Sequence, residues 1–154
     1  MAEPILRIEN LEKTYDNGVR ALKGVSFDVQ PGEFLVIIGL SGSGKSTLLR
    51  CLNHLHDPTG GKVTFKGKDI THVRGGQARK LRQQMAMIFQ HFNLIQRHSV
   101  MSNVLMGKLS TTSTLKSLLG VFPDKDEEKA LEYLDLVGIK EKAYIRADQL
   151  SGGQ

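Results

Sequence analysis

Apolar and polar positions alternate at the start of the chain. Over residues 5–15 this is the pattern of a strand, and Asp16-Asn17-Gly18 is a turn signal. A second alternating run, Val25-Ser26-Phe27-Asp28-Val29, lies within residues 21–29 and closes at Pro31-Gly32. The two runs predict an antiparallel meander. Residues 34–38, Phe-Leu-Val-Ile-Ile, are apolar throughout and bounded by Gly32 and Gly39, which predicts a buried strand. Leu48, Cys51, Leu52 and Leu55 then recur at helical spacing, predicting a helix from Lys45 to about His54.

Beyond the loop at residues 57–61, residues 62–66 alternate as an edge strand that ends at Gly67. Residues 77–84 are polar and basic, with Ala78 and Leu81 as apolar positions, and predict a solvated surface helix. Met85-Ala86-Met87-Ile88-Phe89 reads as a short core strand. Strand, helix and strand at this spacing point to a parallel α/β core.

From residue 91 the two-residue period is gone. Val100, Val104 and Leu105 predict a short helix, and Leu115, Leu118, Leu119 and Phe122 a second apolar face. A third helix is clearer. Asp124, Asp126, Glu127 and Glu128 crowd its first turns, where carboxylates favour the positive end of the helix dipole. Ala130, Leu131, Leu134 and Val137 line one side, and Gly138 ends it. The division expected is an α/β core over residues 1–90 and a helical subdomain over residues 91–154.

Composition narrows the class. The chain has 154 residues, 40% of them hydrophobic and 24% charged, as in a globular domain. The net charge of +5 comes from scattered lysines and arginines with no aromatic-interleaved basic patch, which argues against nucleic acid. The single cysteine, Cys51, excludes an internal disulfide and lies on an apolar helix face. No signal-peptide pattern opens the sequence, and the longest apolar run is far too short to cross a bilayer. His54 and His56 stand two apart, a spacing that puts them on different helix faces, so no histidine metal site is expected.

Chemistry enters at Gly39-Leu40-Ser41-Gly42-Ser43-Gly44-Lys45-Ser46-Thr47, placed between a predicted strand and a predicted helix. That context makes G-x-x-x-x-G-K-[ST] a phosphate site. Gly39, Gly42 and Gly44 allow positive φ and close approach of a ligand. Backbone N–H groups at the helix start then form an anion cradle. Lys45 is expected to reach the β- and γ-phosphates of ATP, and the Ser46 hydroxyl to bind Mg2+. Tyr15 is either a surface aromatic of the sheet or a ring on which a base stacks, and spacing alone favours the first.

The last five residues, Leu150-Ser151-Gly152-Gly153-Gln154, would alone be a flexible turn or a helix cap. With the phosphate loop about a hundred residues earlier, the chain resembles the ATP-binding subunit of ABC transporters, whose signature is Leu-Ser-Gly-Gly-Gln. The resemblance runs the length of the chain. It implies a P-loop NTPase fold of ABC type: an antiparallel meander, a partial parallel sheet and an inserted helical subdomain. It also implies that Tyr15 stacks on adenine, that Gln90 senses Mg2+ and the attacking water, and that Ser151, Gly152, Gly153 and Gln154 hold the nucleotide of a neighbouring subunit. Within the family the likeness is greatest to phosphonate importers, through residues 103–107, 115–120 and 146–150. Residues 89–94 are also like those of amino-acid importers.

The implied protein is a peripheral ATPase at the cytoplasmic face of the membrane. Its implied partners are a second ATP-binding subunit in a head-to-tail homodimer, transmembrane permease subunits and, indirectly, a solute-binding protein. An importer for another small solute, a soluble non-transport ABC ATPase and a non-catalytic nucleotide-binding module are the alternatives. The family's metal-anchoring Asp, general-base Glu and switch His have no counterpart here. The expectation is a fragment of a longer protein, lacking the C-terminal part of the core and inactive as an ATPase on its own.

Overall fold

The computed structural model describes residues 3–89, 93–109 and 122–154, which fall in two compact units, Met1–Met87 and Ile88–Gln154. Four strands build the first unit: β1 (Leu6–Thr14), β2 (Arg20–Val29), β3 (Gly60–Phe65) and β4 (Lys68–Asp69). Their order is β2-β1-β3-β4, and every pairing is antiparallel. Two helices accompany them, α1 (Lys45–Leu52) and α2 (Gly75–Arg82).

The meander forms as predicted, with one irregularity that places its core. Leu6 and Ile8 point inward, and strict alternation would send Asn10 after them. Instead Asn10 takes φ 47, the register with β2 shifts between Ile8 and Leu11, and Leu11 becomes fully buried. Such a bulge re-phases a strand by one residue. The Asn10 N–H is satisfied by the Ser26 Oγ at 2.7 Å. Ile8, Leu11, Val63 and Cys51 are the largest fully buried side chains, in one cluster with Leu22, Leu48, Leu52 and Leu81. Burial of each large aliphatic chain contributes about 1.5–3 kcal/mol. Ala78 and Leu81 are the buried positions of α2, as their spacing predicts.

Three expectations need correction. The run 62–66 is not an edge: β3 lies between β1 and β4, and the two-residue β4 forms the edge. Helix α1 ends at Leu52, so Leu55 is exposed instead of completing the apolar face. The runs 34–38 and 85–89 form no strand, and no parallel pairing exists among the described residues. Phe34 is 91% exposed, Ile38 88% and Ile88 98%. The reason is that an extended segment becomes a strand only when a neighbour takes its N–H and C=O groups, and no described strand lies alongside either run.

The second unit is helical. It contains α3 (Val100–Met106) and α4 (Asp124–Leu136), with two short 3-10 turns at Lys140–Lys142 and Ala147–Gln149. Ser99 caps α3 by accepting from the Ser102 N–H at 3.1 Å. Val100, Met101 and Leu105 pack with Ala130, Leu134 and Ala143. Gly138, at φ 73, follows the end of α4, while Val137 is exposed, because α4 has already ended at Leu136. Among the described residues no helix is long and apolar enough to cross a membrane. Of the apolar face expected at Leu115, Leu118, Leu119 and Phe122, Phe122 is half-buried against this unit's apolar cluster, and the other three lie outside the described residues.

Candidate functional site

Residues 39–44 turn tightly and deliver the chain into α1, which starts at Lys45. Gly44 has φ 93, and a Cβ there would run into the Ala21 carbonyl oxygen of β2 and come within 3.2 Å of Leu22 Cδ2. Only glycine lets the loop lie this close to the sheet. Gly42 has φ 80, as expected, whereas Gly39 does not have the positive φ that was predicted for it. A Cβ on Gly39 would instead stand 2.8 Å from Ser43 Oγ, so close packing within the loop explains that glycine.

The Lys45 ammonium is folded over the loop it follows. Nζ donates to the carbonyl oxygens of Gly39 and Leu40, each at 2.7 Å, and to Ser43 Oγ at 3.2 Å. An ammonium has three donors, and here three oxygens receive them. Loop oxygens thus occupy all three donors, and a phosphate oxygen binding Lys45 would take the place of one of them on the cation. The N–H groups of the first turn of α1, which have no partner inside the helix, add to the same attraction for anions. Ser46 is exposed beside them. Arg20 and Lys23 line, with Gly42 and Ser43, a cavity of about 360 Å³ next to the loop. These residues suit a nucleotide phosphate chain and its Mg2+, for which Ser46 would supply a hydroxyl.

Tyr15, 32 positions from Thr47 in sequence, meets it in space. Its hydroxyl lies 3.1 Å from Thr47 Oγ1 and 3.0 Å from His56 Nδ1. The Tyr15 and His56 rings are edge-to-face, with centroids 5.6 Å apart. Lys13 Nζ stands 5.4 Å from the Tyr15 ring centre and donates to the Asp57 carbonyl at 2.7 Å. Tyr15 is therefore not a solitary sheet-surface aromatic; it is attached to the helix that follows the phosphate loop. Sequence reasoning weighed His56 only as a metal ligand. Nothing in its spacing signals a tyrosine 41 positions earlier.

In the second unit, residues 150–154 border a cavity of about 550 Å³ together with Asn93, Leu94, Gln96, Ala147 and Asp148. The Asp148 N–H donates to the Gln96 carbonyl at 3.1 Å, and the Ala147 N–H to the His98 carbonyl at 2.9 Å. Asn103 of α3 fixes that facing segment in turn, accepting from the Ile95 N–H at 2.8 Å and donating to the Ile95 carbonyl at 3.1 Å. Of the two local readings of Leu150–Gln154, a turn or a helix cap, the described residues take the turn. Residues 151–154 form a turn, closed by the Gln154 N–H on the Ser151 carbonyl at 2.9 Å, and all four are exposed. Gln90, the remaining predicted site residue, lies outside the described residues.

Phosphate loop, tethered aromatic and signature together define the class, and the family model described as ABC transporter matches residues 22–154. The chain belongs to the ABC transporter family. Among its relatives, a protein of Bdellovibrio bacteriovorus named phosphonates import ATP-binding protein PhnC is 61% identical over the whole of this chain. One of the same name from Shouchella clausii is 49% identical over 97% of it. The chain spans 59% and 56% of the lengths of these two relatives. Among solved structures, the dimeric bacterial ABC transporter cassette MJ0796 superimposes with a TM-score of 0.82 at 31% identity, over 97% of this chain and 64% of that one. The ADP conformation of the cassette MJ1267 gives 0.79 at 31% identity, over 99% of this chain and 61% of that one.

Proposed function

We propose that the chain is the nucleotide-binding part of an ATPase that energises a phosphonate importer. The observation that carries the solute assignment is the 61% identity, maintained over the whole chain, to a relative named for phosphonate import. The nucleotide assignment rests on the loop at residues 39–47, where Gly44 brings the backbone against β2 and Lys45 supplies the cation. In this reading Gly39, Ser41, Gly42, Ser43, Gly44, Lys45, Ser46 and Thr47 hold the phosphates of ATP, and Tyr15 receives the adenine. Ser46 and Gln90 hold Mg2+, with Gln90 also attending the attacking water. Mg2+, when bound, neutralises charge building up on the β- and γ-phosphate oxygens.

Ser151, Gly152, Gly153 and Gln154 act in trans. Two subunits meet head to tail, each completing the other's site with its signature, so that ATP binding closes the dimer and hydrolysis releases it. The dimer works against transmembrane permease subunits at the cytoplasmic face of the membrane, and these receive solute from a binding protein on the far side.

The test is genetic and biochemical. Deleting the gene is expected to abolish growth on a phosphonate as sole phosphorus source while leaving growth on phosphate intact. A complementing copy carrying Lys45→Ala is expected not to restore it. Undiminished uptake of phosphonate without the gene would overturn the solute assignment; ATP turnover of the complete gene product unaffected by Lys45→Ala would overturn the ATPase assignment.

A further inference from the structure

Two side chains converge on the Tyr15 hydroxyl from different parts of the chain. Thr47 comes from the first turn of α1, and His56 from the segment beyond its end. A phenol oxygen donates one hydrogen bond and accepts others, so it can serve both neighbours at once. Whichever ring nitrogen of His56 carries the proton, Nδ1 can bond to it: unprotonated it accepts from the phenol, protonated it donates to it. Burial, then the positive charges of Arg50 and Lys13, hold the His56 imidazole below its ordinary pKa, which keeps it neutral near pH 7.

The ring itself is held as well as its hydroxyl. His56 meets it at an interplanar angle of 86°, and Lys13 stands over the ring. Lys13 is in turn anchored on the Asp57 carbonyl, one residue past His56. The segment also fastens to β1: Thr59 Oγ1 accepts from the Thr14 N–H at 3.0 Å, and the Thr59 N–H donates to the Glu12 carbonyl at 2.8 Å. Tyr15 follows directly on the strand so fastened. Its hydroxyl has partners at two points, and a base needs only the ring face that Lys13 does not occupy.

We infer that His56 is a positioning residue for base recognition: acting through the Tyr15 hydroxyl, it fixes the ring at a set distance from the phosphate loop so that an aromatic base can stack while the phosphates occupy residues 39–47. The inference rests on the nucleotide-binding reading above. It makes the spacing between base seat and phosphate seat depend on a side chain that touches neither part of the ligand. A ring released from His56 keeps its stacking surface but loses its fixed orientation, so binding weakens only for ligands that carry a base.

The experiment compares ATP with inorganic tripolyphosphate, which has the phosphates and no base, by calorimetry on the complete gene product. His56→Ala is expected to weaken ATP binding about 3- to 10-fold, the range of one lost hydrogen bond, and to leave tripolyphosphate binding unchanged. His56→Asn, which places an amide group where Nδ1 stood, is expected to restore ATP affinity to within about twofold. In a Tyr15→Phe background, which lacks the hydroxyl, His56→Ala is expected to have no further effect on ATP.

Equal losses for both ligands, or unchanged ATP affinity, would overturn the role of His56. Should His56→Ala not fold, His56→Phe keeps an aromatic ring against Tyr15 without the nitrogen and carries the same expectations. Tyr15→Ala separates this inference from the reading beneath it. A selective loss of ATP affinity in Tyr15→Ala but none in the His56 variants refutes only the positioning role. No selective loss in Tyr15→Ala refutes base stacking, and the positioning role with it.

Discussion

The Lys45 ammonium lies 2.7 Å from the carbonyl oxygen of Gly39, the residue that opens the loop Lys45 closes. Its hydrogen-bond partners are thus groups of the same loop. A phosphate arriving there exchanges bonds with the loop for bonds with itself, and the net gain is smaller than for a cation drawn from open water. Charge still decides the exchange, because an anionic oxygen is a stronger acceptor than a neutral carbonyl.

Lys45→Ala is therefore expected to weaken ATP binding by about 1.5–3 kcal/mol, toward the lower end because of that exchange. Stability should change by less than about 0.5 kcal/mol, since the lysine's bonds lie at an exposed site. Calorimetry with ATP and a denaturant titration on the same variant measure both. A larger loss of stability than of affinity would make Lys45 a structural residue of the loop.

Gly44 and Gly42 should part company when changed to alanine. Both have positive φ, which costs about 1–2 kcal/mol for an alanine. At Gly42 a Cβ meets nothing within 4 Å, so only that cost applies. At Gly44 the new Cβ also collides with the backbone of β2, and the loop must separate from the sheet. Gly44→Ala is expected to shift the denaturation midpoint well beyond Gly42→Ala; equal shifts would mean that the loop moves away at no cost.

Ser151→Ala is expected to leave ATP binding by a single subunit unchanged and to abolish ATP-driven dimerisation of the complete gene product. Residues 151–154 are exposed, as a surface that meets a neighbour must be. Nucleotide affinity and sedimentation on one sample decide the matter. Parallel losses would place Ser151 in its own subunit's site.

Acid should destabilise the first unit through His54. This side chain is buried, and desolvation lowers its pKa from 6.5, outweighing the opposing pull of Asp57. The unfolded chain then binds a proton that the folded chain refuses. Stability is fully present above about pH 6.5, and falls as pH drops below that value until the lowered folded pKa is passed. His56, shifted in the same direction, adds to the slope. His54→Asn tolerates the positive φ found there and does not titrate, so it should flatten the dependence of the urea midpoint between pH 7.5 and 5. An unchanged slope would remove His54 as its source.

Legibility in the sequence followed the range of the forces involved. Leu6 and Ile8, the face of α2 and the acid-rich start of α4 are local patterns, and each was readable. So was the tight glycine-rich turn into α1, whose glycines and lysine lie within nine residues of one another. The bulge at Asn10 was not, because it depends on Ser26 in another strand. His56 was readable only as a histidine, since its meaning comes from Tyr15. The runs 34–38 and 85–89 were read as strands from hydrophobicity alone, and hydrophobicity does not supply a neighbouring strand.

The run 34–38 leads directly into Gly39, so the phosphate loop is held unequally at its two ends. At Gly44 it is packed against β2, while its entrance hangs on backbone that pairs with nothing described. A strand that paired with residues 34–38 would supply the partners that their N–H and C=O groups lack among the described residues. It would also cover Phe34 and Ile38, which otherwise present 91% and 88% of their surfaces beside the entrance to the loop.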